Sequence, residues 1–245
     1  MKIAVLIPVW KRPKVLKTAL ANWKNPPNKL KIDLFFCFVV SKNDPKYDEN
    51  LSICTDFLNN NGHFGIVVSY KNEPLGEKMN AGLKVLLGIE WDYLMNFGSD
   101  DILSDDYWTN FFPYIYNSDD YIAMDTVVFV DARQEYAIMA SYPITGAGRL
   151  IKRELIENTF SELGYVYNDK MNSGMDTASR NNLQSVNDFN LIRIHGCFVA
   201  DIKTLTNINI FDEIKDKAHE YTEINAEQFT RFGDLSSICA EIAND

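Results

Sequence analysis

Residues 91–108 read WDYLMNFGSDDILSDDYW, and the order of these residues decides the fold. Tyr93, Leu94, Met95 and Phe97 form an apolar run of strand length, Gly98 and Ser99 break it, and Asp100 and Asp101 follow at once. The two carboxylates therefore stand at the C-terminal end of a strand. In an open α/β sheet that edge is where ligands bind, because its loops leave a crevice faced by unpaired backbone groups and helix N-termini. Two carboxylates at such an edge suit a hard divalent cation. Asp105 and Asp106, further on, are expected to cap a helix running through Trp108 to Tyr116.

Upstream, strands and helices alternate. Residues 3–9, IAVLIPV, predict a buried strand, and Pro13 opens a helix with Leu16, Ala19, Leu20 and Trp23 on one face. IDLFFCFVV is a second strand, followed by a helix bearing Leu51, Cys54, Phe57 and Leu58. A third strand spans Phe64 to Tyr70, a helix Gly76 to Gly88, and a fourth strand Tyr93 to Phe97. Continuous apolar strands joined by crossover helices predict a parallel sheet covered on both faces. Beyond Asp101 the pattern changes. Residues 121–130 and 135–140 read as two strands with no helix between them, so the sheet becomes mixed in the C-terminal half. A T-G-A-G turn and a helix follow within 144–158, and residues 165–182 form an Asn-, Asp- and Gly-rich loop entering a short helix. A strand at 191–199 carries His195, and Phe232, Leu235, Ile238 and Ile242 predict a closing helix. No repeat or linker interrupts the chain, so one α/β domain over 1–245 is expected.

Charge narrows the partners. The net charge is -10, which argues against nucleic acid. Residues 1–32 nevertheless hold eight basic side chains and no acid, and Lys11 and Arg12, directly after a strand, are best placed to meet a small anion. His63 and His219 sit in polar surroundings and are expected at the surface. The four cysteines show no C-x-x-C spacing, which suits a reducing, cytoplasmic setting. No run approaches the roughly 18 apolar residues of a membrane helix, and the N-terminus reads as a strand instead of a signal peptide. Peripheral contact with a membrane stays open.

The order IPVWKRP, NEPLGEKMNAGL, YLMNFGSDDILSDDYW, GAGRLIKREL and GMDTASRNNL, over about residues 3 to 200, resembles the GT-A fold glycosyltransferases of the family 2 type. The resemblance implies a GT-A type, Rossmann-like sheet with helices on both faces. It also implies metal-dependent, inverting transfer of a sugar from a UDP- or GDP-linked donor to a glycan or other hydroxyl. Residues 1–101 would bind the nucleotide-sugar, 102–200 the acceptor and the reacting groups, and 201–245 would close the domain. It assigns Pro8, Val9, Trp10 and Arg12 to the nucleotide pocket and Lys78 to the diphosphate, and leaves the base contact to Ser41, to Asp44 or to neither. Ser99, Asp100 and Asp101 fall in the D-x-D element, with Asp100 as ligand to Mn²⁺ or Mg²⁺ and His195 as a second ligand. Asp176, in the place of a G-E-D element, would be the general base. Three departures stand out: Gly98 replaces the first acid of D-x-D, Ser41 the acid closing the second strand, and Met175 the Glu of G-E-D. Two other readings are a sugar-phosphate nucleotidylyltransferase, whose Gly-rich loop after the first strand is missing here, and a GT-A domain that binds a nucleotide or glycan without turnover.

Overall fold

The computed structural model describes residues 1–134, 136–204, 211, 214, 221–224 and 230–242. His219 lies outside the described residues. Strands β1 (Lys2–Val9), β2 (Asp33–Ser41), β3 (Phe64–Tyr70) and β4 (Tyr93–Asn96) form a parallel sheet in the order β3-β2-β1-β4. Helices α1 (Pro13–Ala21) and α2 (Tyr47–Asn60) cover one face, and α3 (Leu75–Leu86) the other. Along β1, Ile3, Val5, Ile7 and Val9 enter the core with α1 and α2, while Ala4 and Leu6 enter the core with α3. Both sets are buried, which is why the strand reads as one apolar run instead of an alternating one.

The second half adds β5 (Asp101–Leu103), α4 (Tyr107–Tyr116), β6 (Tyr121–Asp131), β7 (Tyr136–Ser141), β8 (Leu150–Lys152), α5 (Arg153–Leu163), α6 (Met175–Val186), β9 (Leu191–Lys203), β10 (Tyr221–Glu223) and α7 (Leu235–Ile242). The sheet becomes mixed as expected. β8 runs antiparallel between β4 and β6, and β7 and β10 continue antiparallel beyond β6. β9 lies parallel to β6 and antiparallel to the short β5. β9 extends four residues past the expected end at Val199, and β5 is a strand that the apolar pattern does not predict; both differences bear on the site. Asp105 and Asp106 do not cap α4 with their side chains: Asp105 pairs with Lys24, and Asp106 takes Ser104 Oγ and the Arg231 guanidinium. His63 is partly buried, its ring against Phe57 and Phe36. All four cysteines are buried and lie outside any disulfide, and no helix among the described residues is long and apolar enough to cross a membrane.

The loop from Gly164 to Gly174 is tied to the start of α3 by the Gly76 N–H on Met171 O and the Leu75 N–H on Asn172 Oδ1, and to its middle by one buried side chain, Asn80. Asn80 Nδ2 donates to Tyr167 O at 2.6 Å, and Asn80 Oδ1 accepts the N–H groups of Val166 and Tyr167, each at 3.1 Å. One amide thus satisfies three backbone groups that the loop cannot pair for itself. Asn80→Ala orphans two buried N–H groups and is expected to lower stability by at least about 2 kcal/mol, given roughly 1–3 kcal/mol for each unsatisfied group. Urea unfolding of the variant against the wild type measures this.

Candidate functional site

A cavity of about 450 Å³ opens at the C-terminal ends of β1 and β4. The β1–α1 turn forms one wall. Lys11 and Arg12 both take left-handed backbone, with φ of 53° and 46°, which costs non-glycine residues roughly 1–2 kcal/mol each. Asp44 holds the turn, accepting the N–H groups of Lys11 and Lys46 and the Asn50 amide. The turn carries Arg12 Nη1 to 3.0 Å from Asp100 Oδ2 across the cavity.

Asp100, Asp101 and Asp201 form the floor, with one carboxylate oxygen of each within 4.8 Å of the others. Register brings them together, since Asp101 and Asp201 are direct partners in the β5–β9 ladder. Lys203, two residues on and on the same face of β9, reaches Asp201 Oδ2 at 2.6 Å. Asp101 Oδ2 takes the Gly98 N–H at 2.6 Å, and a Cβ at Gly98 would lie 2.8 Å from oxygens of both Asp100 and Asp101. Gly98 is therefore the residue that lets the two carboxylates fold back over the chain. Burial pushes the Asp100 carboxyl up, but Arg12 and then Lys203 outweigh it and hold the group below its ordinary range. Asp101 is pushed well up by burial and by the charges of Asp201 and Asp100. Burial also raises Asp201, to about 6, against the pull of Lys203. Among the described residues, nothing hydrogen-bonds the buried Asp201 Oδ1. Three hard oxygen donors and an orphaned carboxylate oxygen fit a divalent cation of the Mg²⁺ or Mn²⁺ type.

Lys78 projects from α3 to the opposite end of the cavity. Its Nζ is buried and donates to Val9 O at 2.7 Å, Ser41 Oγ at 2.6 Å and Asn72 Oδ1 at 3.3 Å. Val9 thus contributes its carbonyl, and Ser41 lies fully buried behind the lysine.

Asp176 lies in the first turn of α6, 61% exposed, with its Oδ1 3.4 Å from Arg149 Nη2. It does not cap the helix. Arg149 is buried behind the wall and also donates to Asp176 O, Ser179 Oγ and Tyr121 Oη. The carboxylate rests directly on Gly146, where a Cβ would lie 1.9 Å from its carbon. The G-A-G turn is thus an imprint of Asp176.

Pro8, Trp10, Arg12, Lys78, Ser99, Asp100, Asp101 and Asp176 all face this one cavity. His195 does not. Its Nδ1 lies 2.6 Å from Asp125 Oδ2, its side chain is 81% exposed, and Asp201 occupies the place expected for it in the acidic cluster. The register of β6 against β9 slips between Met124 and Thr126, and Gly196 has φ of 139°, so the period-two reading of that strand fails at the histidine. Sequence reasoning missed Asp201, Lys203 and Arg149. The spacing D-I-K at 201–203, opposite charges on one face after an apolar strand, is the signal that could have found the first two.

No sequence-family model matches the chain, and no curated protein matches it either. Solved structures do. S. aureus TarS in complex with UDP-GlcNAc matches with a TM-score of 0.57 at 16% identity, over 83% of this chain and 59% of that one. TarS in complex with UDP gives a TM-score of 0.57 at 15% identity, over 83% and 61%. The mannosyltransferase PcManGT from Pyrobaculum calidifontis, in complex with GDP-Man and Mn²⁺, matches with a TM-score of 0.53 at 10% identity, over 82% and 56%. The likeness establishes a GT-A type fold. The chain spans between 56% and 61% of the length of these neighbours.

Burial pushes the Lys78 ammonium down to about 7 from 10.5, with Asp44 only partly opposing. Between those values the unfolded chain binds a proton that the folded chain does not, so this group makes stability rise with pH from about 7. The buried thiols of Cys37, Cys54 and Cys197, pushed up to about 12 from 9.0, act in the opposite sense only above their ordinary value. Asp101, pushed well up, acts in the opposite sense as it loses its proton, so the lysine is read by difference: between about pH 7 and about pH 9, urea unfolding is expected to show that Lys78→Met gains less stability with pH than the wild type.

Proposed function

We propose that this chain transfers a sugar from a nucleoside diphosphate donor to an acceptor hydroxyl, with inversion and with the help of a divalent cation. What supports the reading is that a single cavity on a GT-A type fold carries both a carboxylate suited to take a proton, Asp176, and a separate cluster of acids and bases suited to a metal-bound diphosphate. The bound cation would supply Lewis-acid stabilisation of the departing diphosphate. Asp100, Asp101 and Asp201 would hold it. Arg12 and Lys203, now paired with Asp100 and Asp201, are cations close enough to exchange those partners for phosphate oxygens. Lys78 is turned away from this role, because its donors are taken by Val9, Ser41 and Asn72.

Asp176 would accept the proton of the attacking hydroxyl. Arg149 keeps it in place, holding both its carboxylate and its backbone carbonyl from a buried position. UDP- or GDP-linked sugars are the donor class, and a glycan or other hydroxyl compound the acceptor. Four buried cysteines outside any disulfide suit a reducing compartment such as the cytoplasm.

Asp176→Asn is expected to keep donor binding and to lower transfer by about 10²–10⁴-fold, the usual scale for a general base. Gly146→Ala should act on the same group from outside, displacing an exposed carboxylate at little cost in stability while transfer falls. Calorimetry with the donor and a nucleoside diphosphate release assay separate binding from turnover in both variants.

Mn²⁺ is expected to raise the thermal unfolding midpoint and EDTA to reverse the rise, since a ligand that binds only the folded state stabilises it. Asp201→Asn should abolish the Mn²⁺-dependent shift. A shift unchanged in that variant would remove Asp201 from the metal site.

A further inference from the structure

Asp125, Arg193 and His195 form a charged group outside the cavity, and none of them lines it. The Asp125 side chain is 8% exposed and takes four donors. Its Oδ1 accepts Thr126 Oγ1 at 2.8 Å and the Gly196 N–H at 3.1 Å; its Oδ2 accepts Arg193 Nε at 3.1 Å and stands 2.6 Å from His195 Nδ1. An ionised carboxylate only accepts, so Nδ1 carries the hydrogen and Nε2 points away from it. Both mounted side chains open outward, Arg193 45% and His195 81% exposed. Among the described residues nothing takes the Arg193 Nη groups or His195 Nε2. The backbone is bent to the same end. β9 sets His195 and Gly196 against the single Asp125, with Gly196 at φ of 139°, a bulge of the kind that re-aims a side chain.

The group stands on the same side of the sheet as Asp176. Tyr121, Ala123 and Asp125 alternate onto one face of β6. Tyr121 Oη takes the Arg149 guanidinium that holds Asp176, and Ala123 packs in one core with Met175 and Leu183 of α6. Residues 142–146 tie the two places together: the Tyr142 N–H donates to Asp125 O, the Thr145 N–H to Met124 O, and Gly146 backs the Asp176 carboxylate. The Cα atoms of Asp125 and Gly146 are thus no more than roughly 13 Å apart.

We propose that Arg193 and His195, mounted on Asp125, form an oxyanion site that takes a phosphate or carboxylate group of the acceptor while the acceptor's hydroxyl lies at Asp176. A guanidinium anchored through Nε presents its Nη groups in a fixed plane, the geometry that pairs with oxygens of one anion. His195 adds a second donor when its ring is protonated at Nε2. Two cations over one carboxylate then leave a positive spot on a chain of net charge -10, which draws an anion to this place and not to the surface around it. The assignment to the acceptor rests on the sugar-transfer reading and narrows its acceptor to an anionic hydroxyl compound.

The test follows the histidine ring resonances of the full chain by NMR at about pH 6, with His195→Gln assigning the His195 signal. The probes are glucose 6-phosphate and glucuronate, their free counterparts inorganic phosphate and acetate, and glucose as the neutral control. Glucose 6-phosphate or glucuronate is expected to shift the His195 signal saturably, and to bind at least about threefold tighter than its free counterpart, the scale of one net hydrogen bond from the sugar; the two arms tell phosphate from carboxylate. Glucose should leave the signal in place. Arg193→Gln, an exposed substitution, should weaken anion binding at least about tenfold, the scale of one hydrogen bond to a charged group. A His195 signal that no anion moves, that glucose moves equally, or whose shift survives Arg193→Gln unchanged overturns the site while leaving sugar transfer standing. Free anions that bind as tightly as both sugar anions overturn its assignment to the acceptor. Failure of sugar transfer is read separately, as nucleoside diphosphate release, and does not move the His195 signal.

Discussion

The pairing of β5 with β9 sets Asp101 opposite Asp201, and the rest of the cavity answers to that register. Carboxylates within 4.8 Å of one another repel by about 3 kcal/mol per charged pair at an effective dielectric of about 20. A fold of ordinary stability tolerates this only with compensation. Arg12 and Lys203 supply two positive charges against three carboxylates, which leaves a deficit of one. A proton on Asp101, whose carboxyl is pushed well up, can cover it, and so can a cation. The strained turn at Lys11 and Arg12 serves the same end, since it brings a cation from β1 to a cluster built on β5 and β9.

Two buried side chains set the opposite wall with comparable economy. Asn80 fixes the Gly164–Gly174 loop to α3, and Arg149 fixes Asp176 at the start of α6. Neither lines the cavity; each orients something that does or borders what does. The exposed carboxylate of Asp176 is thus held from behind by a fully buried guanidinium and backed by a glycine, a rigid mounting for the group proposed as general base.

The parallel half of the fold was legible because both faces of β1, β2 and β4 are buried, and that burial writes unbroken apolar runs. Asp100 and Asp176 were legible because each follows a glycine-marked break at the end of a patterned segment. Asp201 was not, because its meaning lies in a partner a hundred residues away, and no local pattern encodes that register. His195 misled for a related reason: a bulge in β9 changes which face a residue occupies, and periodicity assumes there is none. Lys78 shows a third kind of limit. Its helix position is plain from sequence, but its burial, and hence its three short-range acceptors, follows from how α3 docks on β1 and β2.

The most direct measurement is nucleoside diphosphate release from a panel of UDP- and GDP-sugars, with Mn²⁺ or with EDTA, by the wild-type chain. The account predicts release from at least one donor that depends on the cation and is lost on chelation. Intact fold with no release from any donor, or release indifferent to EDTA, would contradict it.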